Sequence, residues 1–219
     1  MNALDLDFAG ERLSARASGA LHWRSEGVLV VSDLHLGKSE RIARRGGALL
    51  PPYETAETLD RLTRDLSDTG ARTVICLGDS FDDLAAGAAL DDAHRDTIRR
   101  LQAGRRWVWI EGNHDPGPLE IGGTHRAELR LGPLTFRHIA ARGTEAGEIS
   151  GHYHPKARLR AARRPCFMVD ARRMILPAYG CYTGGLDWTT PVLRGLFEDK
   201  AVAYLTGASV LAVPVPRAA

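Results

Sequence analysis

Val28-Leu29-Val30-Val31-Ser32-Asp33-Leu34-His35 is an apolar run that ends on a carboxylate and an imidazole two positions apart. The same grammar returns twice. Thr73-Val74-Ile75-Cys76-Leu77 runs into Gly78-Asp79, and Arg106-Trp107-Val108-Trp109-Ile110 runs into Glu111-Gly112-Asn113. Short β-branched and aromatic runs without alternation read as strands buried on both faces. Helix-patterned stretches separate them: Tyr53–Leu66, entered after Pro51-Pro52, and Asp91–Ala103, with Leu90, Ile98 and Leu101 as apolar positions. Helices between buried strands predict an α/β chain whose mixed or parallel sheet is covered on both faces. Ligands then belong at the carboxyl edge, where each run meets its polar cluster.

The later half changes rhythm. Arg126–Leu131, Leu134–His138, Gly147–Ser150, Cys166–Asp170 and Arg173–Leu176 read as shorter strands broken by Gly and Pro turns. Together these patterns predict two packed sheets with helices outside, in one domain over residues 1–219. A chain of 219 residues, 44% hydrophobic, is long enough for one substantial core and short for two. No apolar run approaches the roughly 18 residues of a membrane span. The mildly acidic start lacks the basic and apolar regions of a secretory signal, which points to the cytoplasm. Cys76, Cys166 and Cys181 form an odd, widely spaced set that reads as reduced packing residues rather than a disulfide framework.

Four motifs at strand ends carry the chemistry: Asp33-Leu-His35, Gly78-Asp79, Gly112-Asn113-His114-Asp115 and Gly151-His152-Tyr-His154. In an extended segment Asp33 and His35 point the same way, and so do His152 and His154. A carboxylate such as Asp79 can bridge two ions, and Asn113 adds a neutral oxygen. Carboxylate, imidazole and amide oxygen together suit Mn²⁺, Fe²⁺ or Zn²⁺. Two such ions about 3.5–4 Å apart clamp the attacking and leaving oxygens of an in-line displacement, and bound water drops to a pKa of about 7.

This order of motifs resembles the calcineurin-like metallophosphoesterases, whose fold is a four-layer αββα sandwich of two mixed sheets flanked by helices. The motifs span residues 33 to 154. Carried over, the resemblance implies a first metal on Asp33, His35, Asp79 and His154. It implies a second on Asp79, Asn113, His138 and His152, with a metal-bridging hydroxide as nucleophile. His138 is chosen for the histidine expected between the last two motifs, with His125 as its rival; His138-Ile139 stands where the family has His-Gly. His114 is implied to face the substrate, with Asp115 orienting its ring. Asp82 and Asp83 read either as outer partners of the ligands or as a loop end.

Further stretches extend the likeness: Asp33-Leu-His-Leu-Gly-Lys38, Arg45-Gly-Gly, Leu50-Pro-Pro-Tyr53, Leu176-Pro-Ala-Tyr-Gly180 and Tyr182-Thr-Gly-Gly-Leu186. They are similar to the bacterial ligase-associated DNA damage response phosphoesterases. That resemblance implies a manganese-dependent endonuclease on single-stranded DNA, linked to DNA repair beside a DNA ligase, a helicase and a nuclease.

Net charge is only +2, yet lysine occurs only at 38, 156 and 200, so positive charge is nearly all arginine. Genomic base composition accounts for that equally well. Two clusters leave the metal motifs: Lys38, Arg41, Arg44 and Arg45, and Lys156, Arg158, Arg160, Arg163 and Arg164. Lys38, Arg41, Arg158 and Arg160 are the candidate contacts to a phosphate backbone, with Tyr53, Tyr153 and Tyr182 as stacking platforms. Two other readings compete: a phosphatase or small-molecule phosphodiesterase acting on a nucleotide or lipid-linked pyrophosphate, and a non-catalytic scaffold, which the intact ligand set disfavours.

Overall fold

The computed structural model describes residues 3–47, 51–117, 120–143, 145–159, 162–198 and 200–216. Leu50 of the Leu-Pro-Pro-Tyr stretch and Arg160 of the second basic cluster lie outside them. The chain forms two sheets packed face to face, with helices on their outer surfaces. The first sheet has seven strands in sequence order: β1 (Ala3–Phe8), β2 (Glu11–Arg16), β3 (Leu21–Trp23), β4 (Val28–Val31), β5 (Thr73–Leu77), β6 (Arg106–Ile110) and β7 (Thr124–Arg126). Strands β4 to β7 run parallel, and β1 to β4 antiparallel.

Two sets of side chains along β4 go to opposite sides. Val28 and Val30 enter the core between the sheets, while Leu29 and Val31 pack outward against the helices α2 (Glu54–Thr69) and α4 (Asp92–Gln102). The absence of polar alternation follows, because both faces are covered. Trp107 and Trp109 of β6 take the outward side and are core residues, as their position predicts. Between β4 and β6 lie two further short helices, α1 (Lys38–Arg44) and α3 (Leu84–Ala88).

The second sheet contains β8 (Glu128–Leu131), β9 (Leu134–Arg137), β10 (Glu148–Ser150), β11 (Lys156–Leu159), β12 (Ala162–Val169), β13 (Arg173–Ile175), β14 (Val202–Leu205) and β15 (Leu211–Pro214). Its path is β15-β14-β12-β13-β10-β9-β8, with β11 paired to β12. Leu134, Phe136, Ile149, Phe167 and Met174 face the first sheet. Met168, Ile175 and Ala203 face outward, toward Trp188 and Leu193 of the region around α5 (Pro191–Arg194). No helix among the described residues is long and apolar enough to cross a membrane.

One expectation changes. Arg126–Leu131 is not a single strand: it splits at Ala127, with β7 pairing to β6 in the first sheet and β8 to β9 in the second. This is the crossover that carries the chain between layers. Strands β9 and β10 are parallel to each other, so their carboxyl ends point the same way, as those of β4, β5 and β6 do in their own sheet.

Candidate metal centre

Each motif follows the end of a strand. Asp33 and His35 follow β4, Asp79 follows β5, Asn113 follows β6, His138 follows β9, and His152 and His154 follow β10. The first two turns extend the β4–β5 pairing beyond the strands. The Asp33 N–H donates to Gly78 O at 3.2 Å, the His35 N–H to Asp79 O at 2.9 Å, and the Leu36 N–H to Ser80 O at 2.9 Å.

The extended geometry expected for Asp33-x-His35 and His152-x-His154 is not adopted. Asp33, His35, Asp79, His152 and His154 all stand in the left-handed region, at φ of 53°, 46°, 45°, 69° and 46°. Non-glycine residues there cost on the order of 1 kcal/mol or more each, and such strain persists where surrounding structure over-determines it. Gly78, at φ 74°, is needed for a different reason: a Cβ there would run into the ring of His138.

The expected donors converge in two groups, Asp33–His35–His154 and Asp79–His138–His152, in each of which one ligand atom per residue lies within 4.8 Å of the others; His35, Asp82 and His114 form a third such group beside them. Asp33 Oδ1 is 3.1 Å from His154 Nε2 and 3.9 Å from His138 Nδ1. Asp79 Oδ2 is 3.3 Å from His138 Nε2, which also lies 3.0 Å from Asn113 Oδ1 and 3.2 Å from His152 Nδ1. His125, the rival for the place of His138, sits in β7 with its ring stacked near Trp109 and joins neither group.

Outer contacts fix which nitrogen faces inward. His35 Nδ1 donates to Asp82 Oδ1 at 2.8 Å, and His138 Nδ1 donates to the Leu77 carbonyl at 2.8 Å. Each ring therefore presents Nε2 to the nest, the arrangement by which second partners set the tautomer of a metal-ligating histidine. Asp82 is fully buried and is an outer partner, which settles the choice that its sequence position leaves open.

Electrostatics favour charged carboxylates. Burial opposes ionisation of Asp79, but the hydrogen bond and charge of His138, with the His114 N–H, hold it at about 2. Burial likewise opposes Asp33, and His154, His138 and the Ser32 hydroxyl bring it below the usual range. Burial would lower His138, yet Asp79 and Asp33 push it up to about 9. His152 is lowered, by burial first and then by the neighbouring charge of His138.

The residues fit a divalent cation. Nε2 of His35 and of His154 is buried without a hydrogen-bond partner; the close approach of His154 to Asp33 lacks hydrogen-bond geometry. His152 Nδ1 and His138 Nε2 stand 3.2 Å apart, close enough for one ion to take both.

His114 lies beside the nest. Its ring Nδ1 donates to the Asp82 carbonyl at 2.8 Å, and Nε2 is 4.0 Å from Asp79 Oδ2. Asp115 does not orient this ring. Its carboxylate is occupied by the N–H groups of Asp79, Ser80, Phe81 and Gly112, at 2.8–3.2 Å, so it ties the second motif to the third. Burial, with Asp79 alongside, raises Asp115 to about 6 despite those amides.

The basic residues are more committed than their clustering suggests. Lys38 and Arg41 lie 3.4 and 2.8 Å from Asp82, and Arg41 and Arg44 reach Asp83. Arg164 donates to the carbonyls of Thr206 and Ser209. Arg158 is exposed on β11.

A sandwich of two mixed sheets carrying this donor nest at its strand ends defines a metal-dependent phosphoesterase. The family model for the calcineurin-like phosphoesterases matches residues 27–186, and the chain belongs to that family, whose members use a pair of metal ions. Among solved structures, the Pseudomonas putida nuclease MPE is similar at 30% identity and a TM-score of 0.79, covering 97% of this chain and all of that one. The E. coli phosphoesterase Yfce matches at 14% identity and a TM-score of 0.40, over 86% of this chain and 99% of its own, too remote to bear on the argument. No curated protein sequence gives a significant match.

Proposed function

We propose that this protein is a nuclease that hydrolyses phosphodiester bonds of single-stranded DNA with two divalent ions. The observation that carries the reading is the pair of donor groups meeting across the two sheets, the first of them closed by His35 and His154, whose buried Nε2 atoms have no hydrogen-bond partner among the described residues. The likeness of the whole chain to a nuclease supports the choice of a diester in nucleic acid.

In this reading Asp33, His35, Asp79 and His154 hold one ion, and Asp79, Asn113, His138 and His152 hold the other. Bound divalent ions supply positive charge to the phosphoryl oxygens and a nucleophilic water at neutral pH. Manganese is the proposed occupant, with Fe²⁺ and Zn²⁺ suited to the same donors. The chain's own groups do the rest. Asp82 and the Leu77 carbonyl lock the rings of His35 and His138. His114 uses its Nδ1 hydrogen on the Asp82 carbonyl, so only Nε2 is left to face substrate. In this reading it would give a proton to the leaving oxygen from Nε2, which lies 4.0 Å from Asp79 Oδ2. A cytoplasmic role in DNA repair, beside a ligase, a helicase and a second nuclease, belongs to the same reading and rests on sequence resemblance.

The test is a panel of mono- and diesters with Mn²⁺, Zn²⁺ and Mg²⁺, run beside Asp79→Ala. We expect Mn²⁺-dependent cleavage of single-stranded DNA that Asp79→Ala abolishes together with metal content. Turnover of phosphomonoesters alone would make the protein a phosphatase and end the proposal.

A further inference from the structure

A cleft of about 590 Å³ opens beside the donor nest, between the segment after β9, the loop carrying Tyr153, and α5. Arg142, Arg173 and Tyr153 supply polar groups to its walls, and Ile139, Val192 and Leu196 supply apolar ones. Arg173 is 5% exposed, and its Nη1 has no hydrogen-bond partner even though Glu148 Oε1 lies 3.5 Å away. A buried guanidinium left short of acceptors is costly, and oxygens entering the cleft would complete it. Glu148 Oε1 pairs with Arg173 without completing a hydrogen bond, while its Oε2 accepts the Ala141 N–H and lies 3.6 Å from Arg137, which pairs more closely with Glu128 at 3.0 Å. The uncompensated charge of the wall is therefore Arg142. Arg142 is exposed and forms no ion pair among the described residues.

The cleft is joined to the nest by two residues. Ile139 follows His138 and lines both this cleft and a neighbouring one of about 410 Å³ bounded by Asn113 and His138. The Tyr153 ring meets the His152 ring edge-on, with centroids 5.0 Å apart. We infer that the cleft is a subsite for the nucleotide adjoining the scissile phosphodiester, with its phosphate on Arg142 and Arg173 and its base against Tyr153, Ile139 and Val192. This inference rests on the nucleic-acid reading above. Forked guanidinium donors match phosphate oxygens, and aromatic and apolar faces accept any base without reading sequence.

The test uses the manganese-loaded protein on a thymidine dinucleotide, a thymidine trinucleotide and bis-p-nitrophenyl phosphate. In parallel, the salt dependence of labelled oligo-dT binding is measured in EDTA. The parent favours the trinucleotide. Arg142→Ala lowers the ratio of kcat/KM on the trinucleotide to that on bis-p-nitrophenyl phosphate about tenfold, the size of one charge-assisted contact. It also reduces the salt slope of oligo-dT binding by about 0.7. Val192→Glu, at a position 60% exposed and so tolerant of the change, lowers the same ratio by replacing an apolar face for the base with a charged carboxylate. A trinucleotide preference that survives both variants, or a parent that shows none, overturns the subsite. Failure of the nuclease reading looks different: the parent then cleaves no nucleic acid at all.

Discussion

His35 and His154 each bury an Nε2 that has no hydrogen-bond partner among the described residues, and what keeps the His35 ring aimed is one carboxylate, Asp82. Asp82→Ala removes that anchor and the shared partner of Lys38 and Arg41. Metal affinity should fall by about ten- to a hundredfold, read by calorimetric titration, with the circular dichroism spectrum unchanged. His114→Ala should separate chemistry from binding. We expect full metal content and a kcat lower by about 10² or more, as for loss of a general acid; parental turnover would remove His114 from the mechanism.

The pH behaviour of the metal-free protein follows from His138. Its pKa is raised from 6.5 to about 9. Stability from this group is therefore complete below about 6.5 and is lost as pH climbs toward 9. The melting temperature of the metal-free protein should decline across that window. The increase produced by Mn²⁺ should grow over the same range, because metal and proton compete for one nitrogen. His138→Gln should flatten both trends in a thermal melt.

The loop between β13 and α5 shows what a short stretch of backbone can do. Tyr179 N–H donates to Ser32 O at 2.7 Å and Gly180 N–H to Asp33 O at 3.1 Å, so this loop backs the first motif. A Cβ on Gly180 would meet the carbonyl of Leu34. Below, the Tyr179 hydroxyl donates to buried Asp65 of α2 at 2.7 Å, and Arg16 of β2 pairs with the same carboxylate. Tyr179→Phe should cost about 1–2 kcal/mol in urea unfolding, since it deprives a buried acceptor of its donor. Gly180→Ala should instead weaken metal binding more than stability, by displacing the Asp33 turn.

None of this is legible in the sequence, where Leu176–Gly180 is a turn without evident purpose. Strands β4, β5 and β6 are legible because burial on both faces leaves unbroken apolar runs, and four of the seven expected donors, Asp33, His35, Asp79 and Asn113, follow them. Strands β1 to β3 and β14 are not, since short antiparallel strands with mixed faces, such as Ala3–Phe8, lack either signature. Residue types and order picked out side chains that the structure brings together. They could not reveal the left-handed backbone at five of these residues, nor that Asp115 spends its carboxylate on four amides, because both depend on loops meeting in space. The arginine clusters misled in a milder way. Sequence displays the charges but not that Asp82 and Asp83 fold against Lys38, Arg41 and Arg44, nor that backbone carbonyls take Arg164.

Across the two layers, the nest is held from both sides. Asp33, His35, Asp79 and Asn113 extend from the first sheet, and His138, His152 and His154 from the second. Stripping the ions should thus leave secondary structure intact while lowering the melting temperature. At a metal concentration a hundredfold above Kd, the lost stabilisation is about 2.7 kcal/mol for each ion. Amide exchange should rise first in the turns around residues 33–36 and 151–154, while β4 to β6 stay protected, as measured by mass spectrometry in EDTA. Uniform exchange throughout would argue against ions bridging the layers.

That division has a consequence during synthesis. A ribosome releases residues 33 to 113 before 138 to 154, so an unfinished chain displays only four of the seven donors. The nest can be completed only when the last imidazoles emerge and the layers close.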